Sequence, residues 1–204
     1  FPEMEASRLA VIMYTSGTTG SPKGVMLTFE NLMANVRSVS HDTPIFGPQD
    51  RILALLPFHH ILPLMGCLVI PFYVGATTVL APSLSAEALI GAMQKNRVTI
   101  IIGVPRFYSM IRKGICDKIN SKRLPHLLFR FASKARSRRL STILFGAVHR
   151  KLGGSLKYLV SGGAALDPEV GRDLAALGFE VLEGFGMTEA APMITFPRPG
   201  QVKM

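Results

Sequence analysis

Tyr14-Thr15-Ser16-Gly17-Thr18-Thr19-Gly20-Ser21-Pro22-Lys23-Gly24 follows a short apolar run, Leu9 to Met13, that reads as a β-strand. The stretch gathers serine and threonine hydroxyls, three glycines and one lysine. A glycine-rich turn after a strand lets backbone N–H groups converge on an anion, because no Cβ blocks the approach. Hydroxyls add donors, and Lys23 adds a mobile positive charge. The chemistry suits a polyphosphate. The spacing differs from a Walker A loop, which needs Gly-x-x-x-x-Gly-Lys-Ser/Thr. Here Pro22 precedes Lys23 and Gly24 follows it.

Outward from this loop, strand and helix signals alternate. Strands are expected at 9–14, 51–56, 76–80, 98–102, 156–161 and 179–182. Helices are expected at 29–40, 64–74, 85–96, 105–113 and 168–177, and 125–152 reads as mostly helical. Ser85 and Asp167 stand where N-caps belong, Pro168 suits a first helical position, and Gly178 closes the last helix. Alternation of this kind implies an α/β fold of parallel sheets covered by helices. In such sheets ligands bind beyond the carboxyl ends of the strands. Each motif below directly follows an expected strand.

The run 14–24 resembles the phosphate-binding signature of the adenylate-forming superfamily, which holds acyl-CoA synthetases, luciferases and peptide-synthetase adenylation domains. Three further motifs carry the same resemblance. Ser161-Gly162-Gly163-Ala164-Ala165-Leu166 is similar to the adenine-binding turn of acyl-CoA synthetases, with Ala165 where proline is usual. Glu183-Gly184-Phe185-Gly186-Met187-Thr188-Glu189 resembles the family's Gly-Tyr-Gly-x-Thr-Glu element, with Phe185 in place of tyrosine. Leu56-Pro57-Phe58-His59-His60 is similar to the element whose final histidine lies beside the acyl carboxylate.

The resemblance implies roles that agree with the residues' chemistry. Thr15, Ser16, Gly17, Thr18, Thr19, Gly20 and Lys23 would hold the β- and γ-phosphates of ATP. Gly162, Gly163, Ala164, Glu183, Gly184 and Phe185 would hold adenine, the Phe185 ring by stacking. Gly186 and Met187 would complete that wall. Thr188 would donate to the α-phosphate, and Glu189 would hold Mg²⁺, a hard cation that takes a carboxylate together with phosphate oxygens. Lys23, Thr188 and Glu189 are the catalytic candidates. His60 would line the substrate carboxylate, with His59 on the opposite side of the chain. CoA would be the co-substrate.

An amino-acid substrate is disfavoured, because no acid between Asp50 and Glu87 could hold an α-amino group. Apolar residues across 61–73, and Gly103, Val104, Pro105, Phe107 and Tyr108, suit an acyl chain instead. The helical stretch 125–152 is similar to long-chain fatty acyl synthetases. The resemblance runs from Leu9 to about Thr195 and covers only the middle of the family's architecture. Residues 1–204 then read as a fragment of the large N-terminal adenylation domain. No Thr-Gly-Asp follows Glu189, and the C-terminal domain with its lysine is absent from this sequence. The expectation is a parent ligase whose isolated 204-residue piece binds nucleotide weakly and is inactive. Alternatives are transfer to a carrier-protein thiol and a non-catalytic basic module.

The net charge of +10 is unevenly placed. Between Asp117 and Asp167 there are eleven Lys or Arg and no acid, while the rest of the chain is near neutral. The bland reading is the solvated face of a long helix. The other is peripheral attraction to an anionic membrane. Nucleic acid is not expected, since no aromatic residues interleave with the cations. The N-terminus is acidic and lacks an apolar signal region, so a cytoplasmic location is expected. Cys67 and Cys116 read as two buried, reduced thiols. The apolar stretch 52–74 contains three prolines and two histidines and reads as packed core rather than a membrane span.

Overall fold

The computed structural model describes residues 5–16 and 21–201. Gly17, Thr18, Thr19 and Gly20, the centre of the expected phosphate loop, lie outside the described residues.

Five short strands form a parallel sheet: β3 (Arg51–Ala54), β4 (Thr77–Leu80), β5 (Ile100–Gly103), β6 (Tyr158–Ser161) and β7 (Val181–Glu183). Their order is β4-β3-β5-β6-β7. Successive side chains on a strand face opposite ways, so each strand feeds two cores. Leu53, Ile101, Leu159 and Val181 point to one side, where they meet α4 (Ala86–Asn96), α5 (Pro105–Asn120) and α9 (Pro168–Ala176). Ile52, Ile100, Ile102, Val160 and Leu182 point to the other, against α1 (Phe29–Arg37) and the helical stretch that includes α2 (Ile61–Leu64) and α3 (Ile70–Val74). Burial on both faces explains the uninterrupted isoleucine run of β5. Each such side chain contributes about 1.5–3 kcal/mol when removed from water. Gly66 lets the π-helical turn Met65–Val69 lie against the sheet, since a Cβ there would stand 2.4 Å from Ile102 Cδ1.

Helix ends follow the sequence signals. Ser85 Oγ accepts from Ala88 N, and Asp167 accepts from Glu169 N. At α1 the cap is Thr28, paired reciprocally with Asn31. The N-terminal ends of three strands are tied by buried Asp50. Its carboxylate accepts from Thr99 Oγ1 at 2.8 Å, Lys157 Nζ at 2.8 Å and Gly47 N at 3.0 Å. Fully buried Tyr108 points its hydroxyl at the carbonyls of Ile101, at 2.9 Å, and Val160, at 2.7 Å, joining β5 to β6.

Several expectations need correction. β1 (Leu9–Thr15) does not join the parallel sheet. It forms an antiparallel hairpin with β2 (Lys23–Thr28), so Lys23 and Gly24 are strand residues. A second antiparallel pair, β8 (Phe185–Gly186) and β9 (Met193–Thr195), was too short to show as periodicity. The basic segment is not one long helix. It divides into α6 (Arg123–Ala135), α7 (Arg138–Leu144) and α8 (Gly146–Lys151), with left-handed Arg136 at the first break. Cys67 is buried, and burial pushes its thiol up to about 12, whereas Cys116 is only half-buried. Among the described residues no helix is long and apolar enough to cross a membrane.

Candidate active site

A cleft of about 700 Å³ opens at the carboxyl ends of β5, β6 and β7. It is lined by Thr15 at the end of β1, His59 and His60 after β3, Ser161 at the end of β6 with Gly162 and Gly163 after it, and Gly184 through Glu189 after β7. Four motifs spread across the sequence therefore meet in one place. For three of them the reason is topological: parallel strands all finish on the same edge, so each following turn faces the same space. The separate β1–β2 hairpin brings Thr15 to that edge.

The turns are built for close approach. Phe185 leaves its ring 66% exposed beside the glycine turn. Gly186 is required by packing, since a Cβ would stand 2.1 Å from the Pro192 carbonyl oxygen. Ser161 is fully buried in the cleft floor, and its Oγ has no hydrogen-bond partner among the described residues. An unpartnered buried hydroxyl costs free energy.

Thr188 and Glu189 occupy a 3-10 turn, Thr188–Ala190, on the cleft wall. This turn is fixed from α1. Asn35 Nδ2 donates to Ala190 O at 2.9 Å, and Asn35 Oδ1 accepts from Met193 N at 2.7 Å. Asn35 carried no sequence signal, because nothing local marks a contact spanning more than 150 residues.

Not every expected site residue reaches the cleft. Ser16 and Ala164 are not among its lining residues, and neither is Lys23, which pairs with Thr15 at the loop end of the hairpin. Glu183 turns the other way: its Oε1 accepts from Leu166 N at 2.8 Å, clasping the glycine turn from behind. The expected opposition of His59 and His60 fails, because residues 58–60 form a turn and strand alternation does not apply. Both rings line the cleft, 4.3 Å apart. The apolar wall is narrower than expected. Ile61, Leu62, Pro63 and Val104 line it. Tyr108, Met65 and Ile70 are core, Phe107 packs against the core, and Phe72 and Tyr73 face outward.

Among the described residues no three His, Cys, Asp or Glu side chains cluster as a metal cage. A single exposed carboxylate, Glu189, facing the cleft fits Mg²⁺, which keeps several waters and shares its remaining sites with phosphate oxygens.

A parallel sheet with its motifs gathered at one edge is the architecture here, and the chain belongs to the AMP-binding enzyme family, whose model matches residues 1–204. It is 35% identical over 207 residues to long-chain-fatty-acid–CoA ligase 1 of Schizosaccharomyces pombe, covering 93% of this chain and 31% of that protein. It is 35% identical over 204 residues to long-chain-fatty-acid–CoA ligase 4 of Saccharomyces cerevisiae, covering 93% of this chain and 29% of that protein. The crystal structure of ATP-bound MatB from Rhodopseudomonas palustris superimposes with a TM-score of 0.70 at 28% identity, over 97% of this chain and 33% of that one. The chain thus spans about a third of the length of the curated relatives it matches.

Proposed function

We propose that the full-length protein activates a long-chain fatty acid with ATP and passes the acyl group to CoA. The carrying observation is the meeting of the hairpin, the histidine turn, the glycine turn and the Thr188-Glu189 turn in one cleft. The relatives named above support the acid class and the thiol acceptor.

In this reading a carboxylate oxygen attacks the α-phosphorus of ATP, pyrophosphate leaves, and the CoA thiolate then attacks the acyl carbon and expels AMP. The chain's residues act by positioning and charge compensation. The run from Thr15 to Lys23 holds the β- and γ-phosphates, with Thr15 on the cleft wall and Lys23 paired beside it. Gly162 and Gly163 present backbone to adenine, Glu183 keeps that turn in place, and Phe185 stacks on the base. Thr188 donates to the α-phosphate. Glu189 would hold Mg²⁺, whose charge would offset the repulsion between phosphates and incoming carboxylate. His60 orients the carboxylate beside Ile61, Leu62 and Val104. In this reading residues 1–204 alone form no acyl-CoA, because they cover only about a third of the length of the curated relatives. The enzyme works on the cytoplasmic side, peripherally on an anionic membrane, as the eleven cations between Asp117 and Asp167 support, since only Arg138 and Lys157 of them meet an acid among the described residues.

The test uses the full-length protein with ATP, Mg²⁺, CoA and a panel of fatty, aromatic and amino acids. Pyrophosphate release and thioester formation should depend on a long-chain acid. Release stimulated only by amino acids, or release indifferent to any acid, would overturn the reading.

A further inference from the structure

Helix α6 (Arg123–Ala135) is amphipathic in an unusual way. Its inward side packs through Leu128, Phe129 and buried Ala132 against the larger core. Yet Leu124, Leu127 and Phe131 remain 67%, 64% and 57% exposed. At 100° per residue these three share one stripe, since they stand at i, i+3 and i+7. Arg123, Arg130 and Lys134 fall on the adjoining stripe, on the side away from the core. A solvated helix face carries polar residues there; this one carries three large apolar side chains edged with cations.

The surrounding charge is one-signed. Of the cations from Lys118 to Lys157, Arg138 pairs with Glu180 and Lys157 with Asp50. Among the described residues no acid lies within ion-pair reach of Arg123, Arg130 or Lys134. Ile143 on α7 adds a further exposed apolar side chain to this region.

We infer that α6 is the element that docks on a membrane rich in acidic lipids, lying in the plane of the interface. Leu124, Leu127 and Phe131 enter the acyl boundary, while Arg123, Arg130 and Lys134 extend toward lipid phosphates. An acidic protein surface would satisfy the cations, but it would leave a row of leucine and phenylalanine against charged groups. A bilayer satisfies both stripes together. This inference rests on the peripheral-membrane reading above and is independent of the ligase chemistry.

The test compares the full-length protein with Leu127→Glu/Phe131→Glu and with Arg130→Gln/Lys134→Gln, using phosphatidylcholine vesicles with and without about 30% phosphatidylglycerol. The wild type should sediment with the anionic vesicles and not with the neutral ones. The apolar double variant should bind at least tenfold more weakly, with unchanged melting temperature and unchanged pyrophosphate release on a soluble acid. The charge variant should lose about tenfold at low salt and become less salt-dependent. Backbone hydrogen exchange in the wild type should slow across 123–135 only when anionic vesicles are added. Four results would overturn the assignment. One is binding unaffected by either variant. Another is vesicle-induced protection elsewhere but not in α6. The third is α6 already protected without lipid, which would mean another part of the polypeptide covers it. The last is binding to polyglutamate with none to anionic vesicles, which would point to an acidic protein.

Discussion

Asn35 and Ala190 are joined by a hydrogen bond of 2.9 Å from Nδ2 to the carbonyl oxygen, and the same side chain accepts from Met193 N at 2.7 Å. One amide thus spans the turn carrying Thr188 and Glu189. Between its two contacts lies Ala191, buried with φ +62, a left-handed conformation that costs a non-glycine residue about 1–2 kcal/mol. The Asn35 bonds help hold that turn against its own preference.

Asn35→Ala should therefore loosen the site more than the fold. Two partly buried backbone groups lose their partner, at about 1 kcal/mol of stability. Misplacing Thr188 and Glu189 should reduce kcat by roughly 10²-fold, since small displacements of positioned groups are costly. Asn35→Asp keeps the acceptor for Met193 N but loses the donor to Ala190 O, and should fall between. Equal kcat for all three proteins, measured by pyrophosphate release, would remove Asn35 from the positioning machinery.

Glu189→Gln keeps the shape of the side chain and loses the charge proposed to hold a divalent cation. Acid-dependent pyrophosphate release should drop far more than KM for the acid rises. The apparent Mg²⁺ requirement should move to higher concentration. Near wild-type kcat at ordinary Mg²⁺ would contradict the assignment.

Ser161 offers a cleaner separation of fold from binding. Its Oγ is buried without a partner among the described residues, so Ser161→Ala should leave the melting temperature unchanged or raise stability by up to about 1 kcal/mol. If the hydroxyl meets a polar atom of ATP or the acid, KM for that substrate should rise about tenfold, the value of one hydrogen bond. Steady-state kinetics with each substrate varied in turn decide which. An unmoved KM for both would leave the hydroxyl without a binding role.

His149 predicts a pH dependence of stability. Burial lowers its pKa below the ordinary 6.5, with the Leu177 carbonyl acting the other way. Its Nε2 lies 2.9 Å from that carbonyl oxygen, and its ring stacks on Phe179 with centroids 4.4 Å apart. The unfolded chain then binds a proton that the folded chain resists, so stability falls as pH drops through 6.5 toward the folded value. His149→Phe should flatten this limb. Melting curves of both proteins from neutral to mildly acidic pH should converge at the acid end, after allowance for the packing change.

The sequence by itself determined the motifs and their order along the chain, because phosphate and base recognition need particular residue types at fixed short spacings. It also determined the parallel sheet, through the apolar runs of β3 and β5, and the capped ends of α4 and α9. These signals are local and survive without knowledge of neighbours. Tertiary structure decided which residues of each motif face the cleft. Glu183 turned back to hold Leu166, His59 joined His60, and Tyr108 left the acyl wall for the core. Each outcome depends on a neighbour far away in sequence. The same holds for the Asn35 clasp and for the exposed stripe of α6, since the sequence marks a helix as amphipathic without saying which of its apolar residues find a core to cover them.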